Sequence, residues 1–391
     1  MKINFGNTQI AFSDKNVNVL SKMQILFVFV AHPSLVSFGK TMLRIALFLH
    51  LPIRWILKPT LFRQFCGGET IDECKEAMQQ LANNNIHSIL DYSAEGIKDK
   101  MHFDMVVEQI LSTIDKSKSF NFIPFAVFKL TGIVHIELLE KMSCKMELTA
   151  SELKEYDELI QRVEKICSYA QAANIPVMMD AEESWIQPAI DSIVEDMTEK
   201  YNREKPFVYN TLQMYRTDRL DYLKTQNEKA QKSGHKLGYK IVRGAYMEKE
   251  RERAIQHNYP SPIYPTKSDT DTAYNQALDF CIEHKIALCA GTHNEESCYH
   301  LIQLLENHTL QNDDSSVFFA QLYGMSDHIS YNLSVAKYNV AKYLPYGPLK
   351  LVLPYLIRRA EENTSIKGQT GRELQLIVAE KNRRKQEGIK N

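Results

Sequence analysis

The sequence predicts an α/β chain whose strands close into a (β/α)8 barrel, with extra helices at the N-terminus and one more at the C-terminus. Three observations predict it. Short apolar, β-rich runs recur and end in polar residues. A longer helical pattern usually separates one run from the next. No Gly-rich dinucleotide fingerprint accompanies them, which favours closure over an open doubly wound sheet.

Eight runs are found: Ile86–Tyr92, Phe122–Leu130, Pro176–Asp180, Val208–Gln213, Leu237–Tyr246, Ala287–Asn294, Val317–Leu322 and Val340–Tyr343. Between them, Ser151–Ala173 and Thr270–His284 are clear helices. Alternating strands and helices imply a parallel sheet. The expected organisation is an N-terminal helical region over 1–85, a catalytic barrel over 86–365, and a C-terminal helix with a basic tail over 366–391.

Composition narrows the class. The 391 residues suffice for a large core, and 44% apolar with 24% charged residues is the balance of a soluble globular protein. A net charge of −1 gives no field that would gather nucleic acid. The seven cysteines are odd in number and lack CxxC spacing, so reduced thiols are expected, with neither a disulfide framework nor a metal site. No early apolar run suggests a secretory signal.

From Lys15 to Gly68 there is no Asp or Glu but there are seven Lys or Arg, within a stretch rich in Leu, Ile, Phe and Val. Its longest uncharged run, Met23 to Gly39, has 17 residues, short of the roughly 20 needed to span a bilayer. Two readings fit: helices packed on the barrel with basic rims, or a peripheral contact of residues 15–68 with an anionic membrane.

Barrel chemistry sits at the C-terminal ends of strands. The polar residues there are Asp91, Lys129, Asp180 with Glu182 and Glu183, Gln213, Lys240 with Arg243 and Tyr246, Thr292-His293-Asn294, Gln321 and Tyr343. Each alone is weak, since a lone Lys often only reaches water and a lone His is usually structural. Together they suit a ligand with many hydrogen-bonding groups. In the helix after the eighth strand, Tyr355, Arg358/Arg359 and Glu362 are spaced three or four apart and share a face. Paired arginines there can clamp a carboxylate, or can form an ordinary solvated face.

The blocks Ile241-Val242-Arg243-Gly244-Ala245-Tyr246, Asp180-Ala181-Glu182-Glu183, Gly291-Thr292-His293-Asn294, Gln321-Leu322-Tyr323-Gly324-Met325, Tyr343-Leu344-Pro345-Tyr346-Gly347-Pro348 and Tyr355-Leu356-Ile357-Arg358-Arg359-Ala360-Glu361-Glu362-Asn363 resemble, in order, the signatures of the proline dehydrogenase family. The resemblance runs from about Gly67 to the C-terminus and is to the monofunctional, mitochondrial-type branch. It implies a distorted TIM barrel with FAD across its top, oxidising L-proline to Δ1-pyrroline-5-carboxylate by hydride transfer to flavin N5. Electrons would pass to a membrane quinone. A pyrroline-5-carboxylate dehydrogenase is an expected partner. The expected location is the cytoplasmic face of a membrane, or the matrix side of the mitochondrial inner membrane in a eukaryote.

By the same resemblance, Asp180, Lys240 and Tyr246 are expected catalytic-site residues. Lys129, Arg358 and Arg359 would hold the proline carboxylate, with Tyr343 and Tyr355 on the ring and Glu362 orienting the arginines. Ala181, Gln213, Lys240, Val242, Gly244, Thr266, Lys267, Thr292, His293, Asn294 and Gln321 would contact the flavin. Two positions depart from the pattern. Lys240 stands where many members carry Arg, and Tyr323 where many carry Leu against the proline ring, so an altered pocket is expected. A hydroxyproline-oxidising cousin often has Ser at the position of Tyr343, so the Tyr favours unsubstituted proline. A Schiff-base lyase using Lys129 and a non-catalytic membrane scaffold are the rival readings.

Overall fold

The computed structural model describes residues 3–49, 51, 53–93, 100–365 and 369–389. Among them are eight strands: β1 (His87–Tyr92), β2 (Ala126–Phe128), β3 (Val177–Met179), β4 (Val208–Gln213), β5 (Gly238–Val242), β6 (Ala287–Gly291), β7 (Val317–Leu322) and β8 (Val340–Tyr346). Their hydrogen-bonded order is β1-β8-β7-β6-β5-β4-β3-β2, the connectivity of a (β/α)8 barrel. Strands of this kind are apolar on both faces because helices cover one and the barrel interior fills the other. Accordingly β2, β3 and β4 are buried at every position.

The chain divides into two units, Ile89–Tyr92 with Gly96–Ala320, and Met1–Ser88 with Ser93–Glu95 and Gln321–Asn391. In the first, parallel ladders pair Ala126 with Val177, Val177 with Val208, Asn210 with Tyr239, Gly238 with Ala287 and Leu288 with Val317. Crossover helices start and stop where local chemistry dictates. Thr149 and Glu152 form a reciprocal capping box for Ala150–Ala173, which ends at Asn174 in the left-handed region, φ 60°. Lys267–Glu283 begins on the Thr266 hydroxyl, three residues before the expected start at Thr270.

Strands β4 and β7 have the expected bounds, and β1 differs by one residue. Four others are shorter than expected at their C-terminal ends. Lys129, Asp180, Arg243–Tyr246 and Thr292–Asn294 lie in the loops beyond their ladders. The break after β5 has a local cause: Gly244 has φ +137°, which L side chains rarely adopt, and a Cβ there would meet the Tyr215 ring at 2.5 Å.

In the second unit β8 runs three residues past the expected Tyr343, because Ser93 N–H donates to Tyr346 O and Gly67 N–H to Pro345 O. Helices Val17–Val30 and Gln369–Gln386 share an apolar core of Phe12, Leu20, Met23, Phe27, Val30 and Ile377. The expected basic tail is helical as far as Gln386, where Arg383 and Arg384 pair with Glu380 at 2.8 and 2.7 Å. A buried ionic cluster joins the ends of this unit: Lys342 Nζ lies 2.9 Å from Asp327 and donates to Met325 O, and Lys15 Nζ lies 3.7 Å from Asp327.

Candidate functional site

In the first unit, four strands bring alternating charges together. Asp91 is the penultimate residue of β1, Lys129 follows β2, Asp180 follows β3 and Lys240 lies within β5. Lys240 Nζ donates to Asp180 Oδ1, and Lys129 Nζ stands 3.8 Å from Asp180 and 4.0 Å from Asp91. Asp91, Asp180 and Lys240 are all buried. Charges in such a setting persist only when paired. Two lysines served by two aspartates therefore form a compensated set that can receive a zwitterion by exchanging partners.

A second layer fixes these ends. Glu182 is buried at 3% exposure and accepts hydrogen bonds from Thr131 N–H at 3.1 Å and from the Thr131 hydroxyl. That holds the turn carrying Lys129. Burial raises the Glu182 carboxyl to a pKa of about 7, against the pull of the Thr131 donors and Lys129. Gln213 uses both ends of its amide within the chain: Nε2 donates to Glu182 O at 2.6 Å and Oε1 accepts from Ala245 N–H at 3.1 Å. It therefore stitches the loops after β3 and β5, a role its strand-end position alone did not reveal. Ala181 is buried at the turn after β3, and Val242 O accepts from Met214 N–H. Tyr246 is buried, with Lys249 Nζ 5.4 Å from its ring centroid, and Lys249 pairs with Glu183 at 2.7 Å.

Thr266 and Lys267 stand at the start of Lys267–Glu283, and Thr292, His293 and Asn294 at the start of Glu295–Asn307. Thr266 Oγ1 accepts from Asp269 N–H at 3.2 Å, and Asn294 Oδ1 from Ser297 N–H at 3.1 Å. Helix starts of this kind present N–H dipoles to anions. Lys267 and the buried Lys240 add positive charge, and an anionic, many-acceptor cofactor such as FAD fits that chemistry.

In the second unit, Tyr355, Arg358 and Arg359 lie on helix Leu349–Ser365 as expected. Arg359 Cζ is 5.2 Å from the Tyr355 ring centroid, and both residues are buried. The Glu362 side chain lies outside the described residues. Tyr343 is buried in β8, and its carbonyl accepts from Tyr323 N–H at 2.8 Å. Gln321 Oε1 accepts from the Ser330 hydroxyl at 2.8 Å. The cationic trio is thus divided: Lys129 belongs to one unit, Arg358 and Arg359 to the other.

Partial burial, with Asp327 and Asp14 acting against Lys15, raises the Tyr323 phenol to about 12. The neighbouring Leu322 packs on the cluster that contains Tyr355, Phe65 and Met325. Asp91 and Arg243 had no specific role by sequence reasoning. The signals for them were their places at strand ends and, for Arg243, its place within a family signature block.

Residues 74–372 match the family model described as proline dehydrogenase. Proline dehydrogenase 1, mitochondrial, of Dictyostelium discoideum is 34% identical over 365 residues, covering 82% of this chain and 64% of that protein. The chain thus spans a little under two thirds of that relative's length. A hydroxyproline dehydrogenase of Xenopus laevis is 29% identical over 399 residues, covering 92% of this chain and 86% of that protein. The solved structure of proline utilization A from Bdellovibrio bacteriovorus, inactivated by N-propargylglycine, superposes with a TM-score of 0.72 at 19% identity, covering 92% of this chain and 38% of that one. It shares the fold. With the family model matched over most of its length and a curated relative above 30% identity, the chain belongs to the proline dehydrogenase family.

Proposed function

We propose that this protein oxidises L-proline to Δ1-pyrroline-5-carboxylate with FAD as the hydride acceptor. The observation that carries the reading is the Asp91–Lys129–Asp180–Lys240 set of paired charges, three of them buried, on the strands of a proline dehydrogenase barrel. FAD, when bound, supplies the redox chemistry. The chain binds and orients. Lys129, Arg358 and Arg359 hold the carboxylate of proline, and Glu362 orients the arginines. Tyr343 and Tyr355 pack on the ring and exclude water, so the carbon beside nitrogen is presented in one orientation. Lys240 places positive charge where reduction builds negative charge, and Asp180 keeps that ammonium in place. Tyr246 closes the substrate side. Ala181, Gln213, Val242, Gly244, Thr266, Lys267, Thr292, His293, Asn294 and Gln321 form the flavin-facing set, with Gln213 acting through the two loops it stitches. Residues 86–365 form the catalytic region of this reading.

Electrons leave to a membrane quinone, and the imine passes to a pyrroline-5-carboxylate dehydrogenase. Among the described residues no single helix is long and apolar enough to cross a membrane. The acid-free stretch nevertheless exposes Trp55 at 85%, Phe48 at 81% and Ile25 at 72%, which supports a peripheral contact. Hydroxyproline is the alternative substrate, favoured by the Xenopus relative and opposed by Tyr343.

The visible spectrum of the purified protein tests the reading. A yellow flavin spectrum that bleaches with proline in the absence of oxygen is expected. A colourless protein that takes up no FAD, or a flavoprotein that hydroxyproline bleaches faster than proline, overturns it.

A further inference from the structure

Arg243 follows β5, and its guanidinium reaches three elements at once. Nε donates to Asp271 Oδ1 at 2.6 Å, Nη1 to Thr292 Oγ1 at 2.6 Å and Nη2 to Ser297 Oγ at 2.8 Å. Its Cζ lies 4.3 Å from the Tyr274 ring centroid, so a face of the fork is stacked while its edges are bonded. Asp271 and Tyr274 belong to helix Lys267–Glu283, Thr292 to the turn after β6, and Ser297 to the first turn of helix Glu295–Asn307.

Each partner is held in turn. Lys267 Nζ donates to Asp271 Oδ2 at 2.5 Å. Burial opposes the Asp271 charge, but the bonds from Lys267 and Arg243 outweigh it and hold the carboxyl below its ordinary pKa. Thr292 Oγ1 also accepts from Asn294 N–H at 3.1 Å, and the Ser297 hydroxyl donates to Asn275 Oδ1 at 2.8 Å. Both helix starts are therefore referred to one planar, permanently charged group. A lysine at this position would keep the charge and lose the fixed fork.

We propose that Arg243 is a positioning residue that fixes the two helix starts relative to each other, so that together they receive the diphosphate of FAD. The inference rests on the FAD reading above and goes beyond it. The two helix starts carry Thr266, Lys267, Thr292, His293 and Asn294, all expected at the flavin by family resemblance. Helix N–H groups and an ammonium suit an anion, and the anionic part of FAD is its diphosphate. A diphosphate spans two helix starts, whereas a single phosphate needs only one. The spacing set by Arg243 therefore matters more for FAD than for FMN.

The test uses the full chain, stripped of flavin and titrated with FAD and with FMN by fluorescence quenching. Arg243→Gln and Arg243→Lys are each expected to weaken FAD by at least about tenfold and FMN by under about threefold, as expected for loss of charged hydrogen bonds. Equal weakening of both flavins, or FAD affinity within about twofold of the parent, overturns the proposal, because general loosening of the fold would not discriminate between them. If the arginine variants do not fold, Ser297→Ala removes one strut without changing charge. It should weaken FAD about threefold or more while FMN changes less, and no difference between the flavins overturns the proposal. Failure of the parent chain to take up FAD would refute the cofactor reading, not this role for Arg243.

Discussion

Replacing Glu182 with glutamine should change how stability depends on pH, and the direction follows from burial. The carboxyl has a pKa of about 7 in the native chain, against its ordinary 4.5, chiefly because burial disfavours its charge. Between those values the native state binds more protons than the unfolded chain, so unfolding free energy falls as pH rises. The stabilisation is complete below about 4.5 and is lost as pH rises through about 7. At 1.36 kcal/mol per pKa unit the loss is on the order of 3 kcal/mol, an upper figure because the native state can relax around the charge. The substituted amide can still accept from Thr131 N–H through its oxygen and donate to the Thr131 hydroxyl through its nitrogen, so the turn survives while the titration is removed. The assay is urea unfolding of parent and Glu182→Gln at pH 5, 6, 7 and 8. The difference between them should shift in favour of the variant by about 2–3 kcal/mol between pH 5 and pH 8. Parallel pH profiles would refute the buried, titrating carboxyl. A shift of the opposite sign would refute the burial argument itself.

Arg358→Met or Arg359→Met should raise the KM for proline by tens- to hundreds-fold, roughly 2–3 kcal/mol for a charged hydrogen bond; steady-state kinetics showing an unchanged KM in both would reject the carboxylate clamp. Tyr343→Ser should shift the ratio of kcat/KM toward hydroxyproline, and a constant ratio would reject ring packing. Gly244→Ala should lower the unfolding midpoint and flavin retention. The added Cβ meets the Tyr215 ring at 2.5 Å at a φ of +137°, and strain of about 1–3 kcal/mol is expected; wild-type stability in that variant would show that the turn relaxes freely. Replacing Trp55 and Phe48 by Ser together should reduce sedimentation with anionic liposomes by several-fold, since each buries a large apolar surface at an interface; undiminished sedimentation would remove that face from membrane binding.

The alternation of strands and helices, the parallel sheet and the strand-end residues were all legible in the order of the amino acids. Those follow from periodicity and turn chemistry, which are local: β4 and β7 have the expected bounds because their apolar runs end where their ladders do. Folding settled what depends on neighbours far along the chain. It set the shorter ladders of β2, β3 and β6, since a strand lasts only as long as its partner remains in register. It packed Leu322 on the Tyr355 cluster. It engaged Gln213 between two loops, buried Glu182 against Thr131, and gave Arg243 partners 28, 49 and 54 residues away. A hydrogen bond or a burial penalty belongs to a pair or a surrounding, and residues that far apart carry no mutual signal until the chain sets them side by side.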